Sequence, residues 1–173
     1  MDSVSERIKG SFLECVSETG FLKTNITQIC KKAGIHRSTF YSYYRKKEDV
    51  LNDLIDDSLS NIDNIINQTV YKEKNGSKIP LCIFLRESKE YHPIFRDPSL
   101  KEYIIGRIIV YFKEDYIEKL SQTGFYTKEE MDGLIWFQMY GCFHLAIKHL
   151  NDSNEIWNDK KCVIDRFLGK ALS

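Results

Sequence analysis

The chain has 173 residues and a mass of 20.3 kDa, with 25 Lys and Arg against 25 Asp and Glu. That length suits one compact domain, or one main domain with a small appendage, and 42% hydrophobic with 29% charged residues excludes a disordered chain. Residues 1–20 carry Asp2, Glu6, Arg7, Lys9, Glu14 and Glu18, so no apolar leader is expected, and the longest run without Asp, Glu, Lys or Arg in the C-terminal half, Gly133–Ile147, has 15 residues, short of the roughly 20 a membrane span needs.

The hydrophobic period is helical throughout, and no segment alternates with period two. Val4, Ile8, Phe12 and Val16 recur every fourth residue and predict a first helix ending near Gly20. Asn25 offers an N-cap with Gln28 three residues on, so a short second helix is expected from there to Ala33, stopped by Gly34. A third is expected over Arg37–Tyr44. A long fourth, over Lys47–Thr69, carries Val50, Leu51, Leu54, Ile55 and Leu59 on one stripe. Tyr71–Ser77 is polar and reads as a loop, and Ile79–Tyr91 as a helix. Asp97 as cap and Pro98 at the first helical position predict a helix to Ser121. Thr127 with Glu130 predicts another capping box, opening a helix to about Leu150, and Asn158 the cap of the last. An all-α fold of eight or nine helices follows.

The five cysteines, Cys15, Cys30, Cys82, Cys142 and Cys162, form no Cys-x-x-Cys pair. They are expected to be reduced, small buried hydrophobes of a cytoplasmic protein. His144 and His149 are five apart with no acidic cluster beside them, so no metal site is expected, and no cofactor motif is present. The spacing Tyr43-x-x-x-Lys47 matches the Tyr-Lys pair of short-chain dehydrogenases, but no G-x-G-x-x-G accompanies it, and no catalytic residue is assigned.

Neutrality hides a polarity. Residues 23–47 hold Lys23, Lys31, Lys32, Arg37, Arg45, Lys46 and Lys47 and no acid, a net charge of +7; residues 1–47 carry +5 and residues 48–173 carry −5. A basic stretch of this kind is the footprint of phosphate binding. Its two short helices, joined at Ala33-Gly34-Ile35, fit a helix-turn-helix, with Gly34 supplying the positive φ of a tight turn. Cys30 is small where the helices approach, and Ile29, Ala33, Ile35 and Phe40 would pack them together. The second helix then exposes Arg37, Ser38, Tyr41 and Ser42, side chains able to reach base edges and phosphates.

The run from Gly34 to Leu51 (GIHRSTFYSYYRKKEDVL), with Gly20-Phe21 and Lys23-Thr24-Asn25-Ile26 before it, resembles the DNA-binding signature of the TetR family of bacterial transcriptional regulators. The resemblance covers about residues 5–55. It implies an N-terminal three-helix DNA-binding domain over residues 1–47 and a C-terminal helical regulatory and dimerisation domain over residues 48–173. By position, Arg37, Ser38 and Tyr41 resemble the groove-facing residues. Tyr43 and Lys47 resemble phosphate contacts, Lys47 aided by the helix N-terminus. Thr24 and Asn25 resemble backbone anchors, with Thr27 a weaker candidate. His36 departs from the usual Ser or Thr cap.

The resemblance further implies a palindromic duplex DNA operator, a small-molecule effector, and a homodimer formed through the last two helices, about Thr127–Leu150 and Asn158–Leu172. Repression is the family's usual mode. The first of those helices carries Trp136, Tyr140 and His144 at helical spacing; they are read either as part of a helix buried all round or as facing an effector. Tyr103 and Arg107, spaced by four on the preceding helix, could likewise bind an anionic effector. The competing reading is a helical protein-interaction module without DNA binding.

Overall fold

A computed structural model describes residues 3–60, 81–122 and 124–171, which are all helices, turns and connecting segments, with no strand among them. The helices are α1 (Val4–Thr19), α2 (Ile26–Ala33), α3 (Arg37–Tyr41), α4 (Lys47–Ser60), α5 (Leu81–Glu87), a 3₁₀ turn Lys89–Tyr91, α6 (His92–Arg96), α7 (Lys101–Ser121), α8 (Lys128–Lys148) and α9 (Asn154–Ala171). The expected end of the fourth helix over 61–69 and the expected loop over 71–77 lie outside the described residues.

Side-chain caps start several of the helices. Ser3 and Glu6 form a capping box on α1, Asn25 and Gln28 on α2, and Thr127 and Glu130 on α8. The two later starts differ from expectation. Asp97 does not cap a helix at Pro98: its carboxylate accepts from Ser99 and from a distant backbone N–H, residues 98–100 form a turn, and α7 begins at Lys101. The last helix begins at Asn154, not after Asn158, because the Ser153 Oγ accepts from the Ile156 N–H and starts it a turn earlier.

One apolar core runs from Ile8 and Phe12 of α1 to Trp157 of α9. α1 packs on α2, α4 and α6; α2 on α3; α4 on α7; and α8 on α5 and α7. α1 to α3 and the start of α4 thus form a head seated on the remaining helices through α1, α4 and α6. Cys15 and Cys30 are buried as expected, and burial pushes both thiols above their ordinary range. Cys82 and Cys142 are half-buried, and Cys162 is exposed, contrary to expectation. α8 is not buried all round within the chain: Met131, Ile135, Met139, Phe143 and Ala146 face the core, while Trp136, Phe137, Gly141 and His144 are exposed. No helix among the described residues is long and apolar enough to cross a membrane.

Candidate nucleic-acid interface

The corner between α2 and α3 is built locally. Gly34 takes φ 63° and ψ 40°, its N–H and that of Ile35 bond back to the last turn of α2, and no side chain is needed to close it. Beneath it, Ile29 and Phe40 are fully buried, with Cys30 and Ala33 beside them. The apolar positions of the two short helices therefore pack as their spacing indicates. His36 makes no capping bond, so α3 starts from backbone geometry and packing alone.

α3 presents Arg37, Ser38, Tyr41 and Ser42 to solvent. Arg37 is not loose: it donates to the Tyr41 hydroxyl at 3.1 Å, its guanidinium lies 5.9 Å from the centre of that ring, and Thr27 of α2 lies 3.5 Å away. The bond to Tyr41 raises the Arg37 pKa further, so the charge is fixed. The Ser42 hydroxyl donates to the Ser38 carbonyl at 3.1 Å. Tyr43 is half exposed.

The other candidates are placed less simply. Asn25 is exposed, but its side-chain oxygen caps α2. Thr24 is only 2% exposed and donates to the Gly20 carbonyl at 2.9 Å. Its side chain is therefore turned inward and supports the turn instead of facing solvent. Lys47 is also engaged: its ammonium donates to the Phe21 carbonyl at 2.7 Å and the Thr24 carbonyl at 2.8 Å, and sits 4.3 Å from the Phe21 ring centre. At the start of α4, Asp49 accepts from the N–H groups of Arg45 and Lys46, at 2.9 and 3.1 Å. Asp49 thus pins the turn that leads into α4.

The +7 stretch divides accordingly. Lys32 pairs with Glu18 at 2.7 Å and Glu14 at 3.3 Å, Lys47 clamps carbonyls, and Arg37 rests on Tyr41. Lys23, Lys31, Arg45 and Lys46 expose their side chains without an ion pair among the described residues. The charge count contained these four residues, but local spacing gave no reason to prefer them.

A polar network outside the sequence reading braces the head. The Tyr44 hydroxyl lies 2.7 Å from Ser5 and donates to Asp53 at 2.6 Å, while Lys9 reaches Asp53 at 2.9 Å and Asp57 at 2.5 Å. Burial, together with the bond to Asp53, pushes Tyr44 up to about 12. Burial acts to raise Asp53, but its bonds from Tyr44 and Lys9 outweigh this and hold it below the usual carboxylate range.

The five effector candidates do not surround one interior cavity. Tyr103 and Arg107 of α7 reach across to Asn52 and Asp56 of α4. Trp136 stacks on Tyr140 at 5.7 Å, Tyr140 donates to Glu102, and His144 lies 3.2 Å from the Lys101 ammonium. That second group is an exposed seam between α7 and α8. A separate polar cleft of about 440 Å³ lies between α5, α6 and the turn joining α8 to α9.

Residues 13–54 match the family model described as bacterial regulatory proteins, tetR family. The chain is 27% identical over 88 residues to the fatty acid metabolism regulator protein of Bacillus subtilis (strain 168); the match spans 51% of this chain and 44% of that protein. Among solved structures, its fold is similar to the fatty acid degradation regulator FadR from Bacillus halodurans, with a TM-score of 0.60, 16% identity, and coverage of 87% of this chain and 86% of that one. It is also similar to the dihydroxyacetone kinase operon activator DhaS, with a TM-score of 0.59, 14% identity, and coverage of 96% and 95%.

Proposed function

Residues 13–54 match the tetR family of bacterial regulatory proteins, and on that premise we propose that the chain is a DNA-binding transcriptional regulator, a homodimer whose hold on a palindromic operator is set by a small-molecule effector. The observation that carries this reading is the head: a packed helix-turn-helix that exposes Arg37, Ser38 and Tyr41 beside four cations, Lys23, Lys31, Arg45 and Lys46, that have no ion pair among the described residues. The cations supply sequence-independent attraction to phosphate, and Arg37 and its neighbours read base edges. Asn25, Thr27, Ser42 and Tyr43 border that surface as backbone contacts. Thr24 and Lys47 serve it indirectly, by fixing the turn that positions α2.

A second copy is the occupant we assign to the exposed apolar side of α8 and α9, where Phe137 is 65% and Val163 63% exposed, with Trp136 and Ile156 nearby in sequence. Trp136, Tyr140 and His144 belong to that side in this reading. Two heads in such a dimer address half-sites roughly 34 Å apart. Tyr103 and Arg107 tie α7 to α4, so an effector that shifts α7 shifts α4, which begins at the head. Effector and operator then bind antagonistically, by the same factor in each direction.

The test is selection from a randomised duplex pool, with binding measured across salt. Four free cations per protomer, doubled in a dimer, give an expected slope of about −7 in log affinity against log salt. The control region of fatty acid metabolism genes is the first natural duplex to try, given the name of the matched relative. If no duplex is enriched, or the slope is near zero, the reading is wrong.

A further inference from the structure

The turn between α1 and α2 is held from outside the head. Gly20 ends α1 at φ 79°, and the next N–H, that of Phe21, donates to the Asp97 carboxylate at 2.6 Å in a buried bond. The other Asp97 oxygen accepts from Ser99 twice, at 2.9 Å from its N–H and 2.6 Å from its hydroxyl. Lys47 grips the same turn through the Phe21 and Thr24 carbonyls. Asp97 lies just past α6, whose Ile94 and Phe95 are buried and which packs on α1. Its neighbour Arg96 points the other way and donates to Asn151, in the turn between α8 and α9, at 2.7 Å. Arg86 of α5 holds the same turn through the Asp152 carbonyl at 2.9 Å. Two adjacent residues, Arg96 and Asp97, thus touch the two turns.

We propose that Asp97 is a positioning residue for DNA binding, fixing the α1–α2 turn from the regulatory side, and that α6 is a strap through which the α8–α9 turn reaches the head. The inference rests on the DNA-binding reading above. Its physical basis is the geometry of a buried backbone donor with a charged acceptor. With Asp97 in place, the Phe21 N–H and the start of α2 five residues later have one position; without it, the N–H must find water or another partner, and the turn moves.

Charge alone predicts the opposite outcome. Asp97 is an acid close to the basic head, so removing it should strengthen phosphate attraction. Asp97→Ala, Asp97→Asn and Ser99→Ala are compared with the unaltered chain on a 30-base-pair duplex selected by that chain from a random pool, and by amide exchange. Positioning predicts about tenfold weaker binding for Asp97→Ala at unchanged salt slope. Asp97→Asn loses the same charge but keeps an acceptor, and its loss should be smaller. Ser99→Ala, which keeps the carboxylate but removes one brace, should lie closest to the unaltered chain. Exchange at the Phe21 amide should quicken by about ten- to hundredfold in Asp97→Ala, with amides in α8 unmoved.

Equal or tighter binding by Asp97→Ala, or undiminished protection of the Phe21 amide, overturns the proposal. If the unaltered chain selects no duplex, the regulator reading is what fails, and exchange at Phe21 still decides whether Asp97 holds the turn. The strap is tested by Asn151→Ala. It should weaken duplex binding in the unaltered background and add nothing in Asp97→Ala; additive effects, or no effect at all, overturn it.

Discussion

The two turns of the head are held in opposite ways. The turn from α2 to α3 closes on itself, with Gly34 in the left-handed region and backbone bonds to Cys30 and Lys31. The turn from α1 to α2 depends on Lys47, 26 residues from Phe21, and on Asp97, 76 residues from it. The first would hold its shape in any setting where the two short helices pack. The second carries information from elsewhere in the chain. The corner that shapes the reading helix is autonomous, whereas the entry to its supporting helix is conditional.

That contrast can be broken or sharpened by substitution. The largest effect expected is that of Phe40→Ala, which removes a fully buried ring from under the autonomous corner and should cost about 3–5 kcal/mol in urea unfolding. A cost below about 1 kcal/mol would mean that the corner does not depend on that packing. Next is Gly20→Ala. Its φ of 79° and ψ of 158° belong to a region nearly exclusive to glycine, and an added Cβ would lie 3.4 Å from Asp97. A loss of about 1–3 kcal/mol is expected, read as a lower melting temperature.

Gly34→Ala should cost less, about 1 kcal/mol, since its φ is left-handed but the space around it is open. Melting curves that rank Gly34→Ala above Gly20→Ala would invert the comparison. The smallest effect is one of pH. Burial acts to raise Asp97, but its bonds from Ser99 and Phe21, with Lys47 nearby, hold it below the ordinary carboxylate range. Its contribution is then complete above the unfolded value of about 3.9 and is lost as pH falls through the lower folded value. On acidification below about pH 4, the Phe21 amide should lose protection before the Ile35 amide of the other turn; simultaneous loss would show both turns to be equally autonomous.

What the sequence disclosed follows the same division. The Asn25–Gln28 and Thr127–Glu130 boxes, Gly34, and the buried faces of α1 and α2 are local patterns, and the structure contains each of them. The Ser3–Glu6 box is equally local, but the apolar period that predicts α1 carries no sign of it. Asp97 differs from its expected capping role because Asp-Pro is a good local helix start, whereas its partner Phe21 lies 76 residues away. Lys47 and Thr24 carry the residue types of phosphate contacts, but the chain's own carbonyls engage them first. The charge distribution along the chain locates the basic head, yet only the ion pairs of Lys32 with Glu14 and Glu18 separate bound cations from free ones. The effector candidates shared helical spacing but not a common cavity, since spacing fixes a face and not what lies opposite it.

The contact of Arg37 with Tyr41 bears on how such a protein would find its site. On the DNA-binding reading, Lys23, Lys31, Arg45 and Lys46 suffice for loose attachment to any duplex, and Arg37 can stay folded against its own helix while the protein slides. Only a base that offers Arg37 more than the Tyr41 hydroxyl and ring do would draw it out. Search and recognition would then use different side chains, and the phenol of Tyr41 would set the threshold at which one gives way to the other.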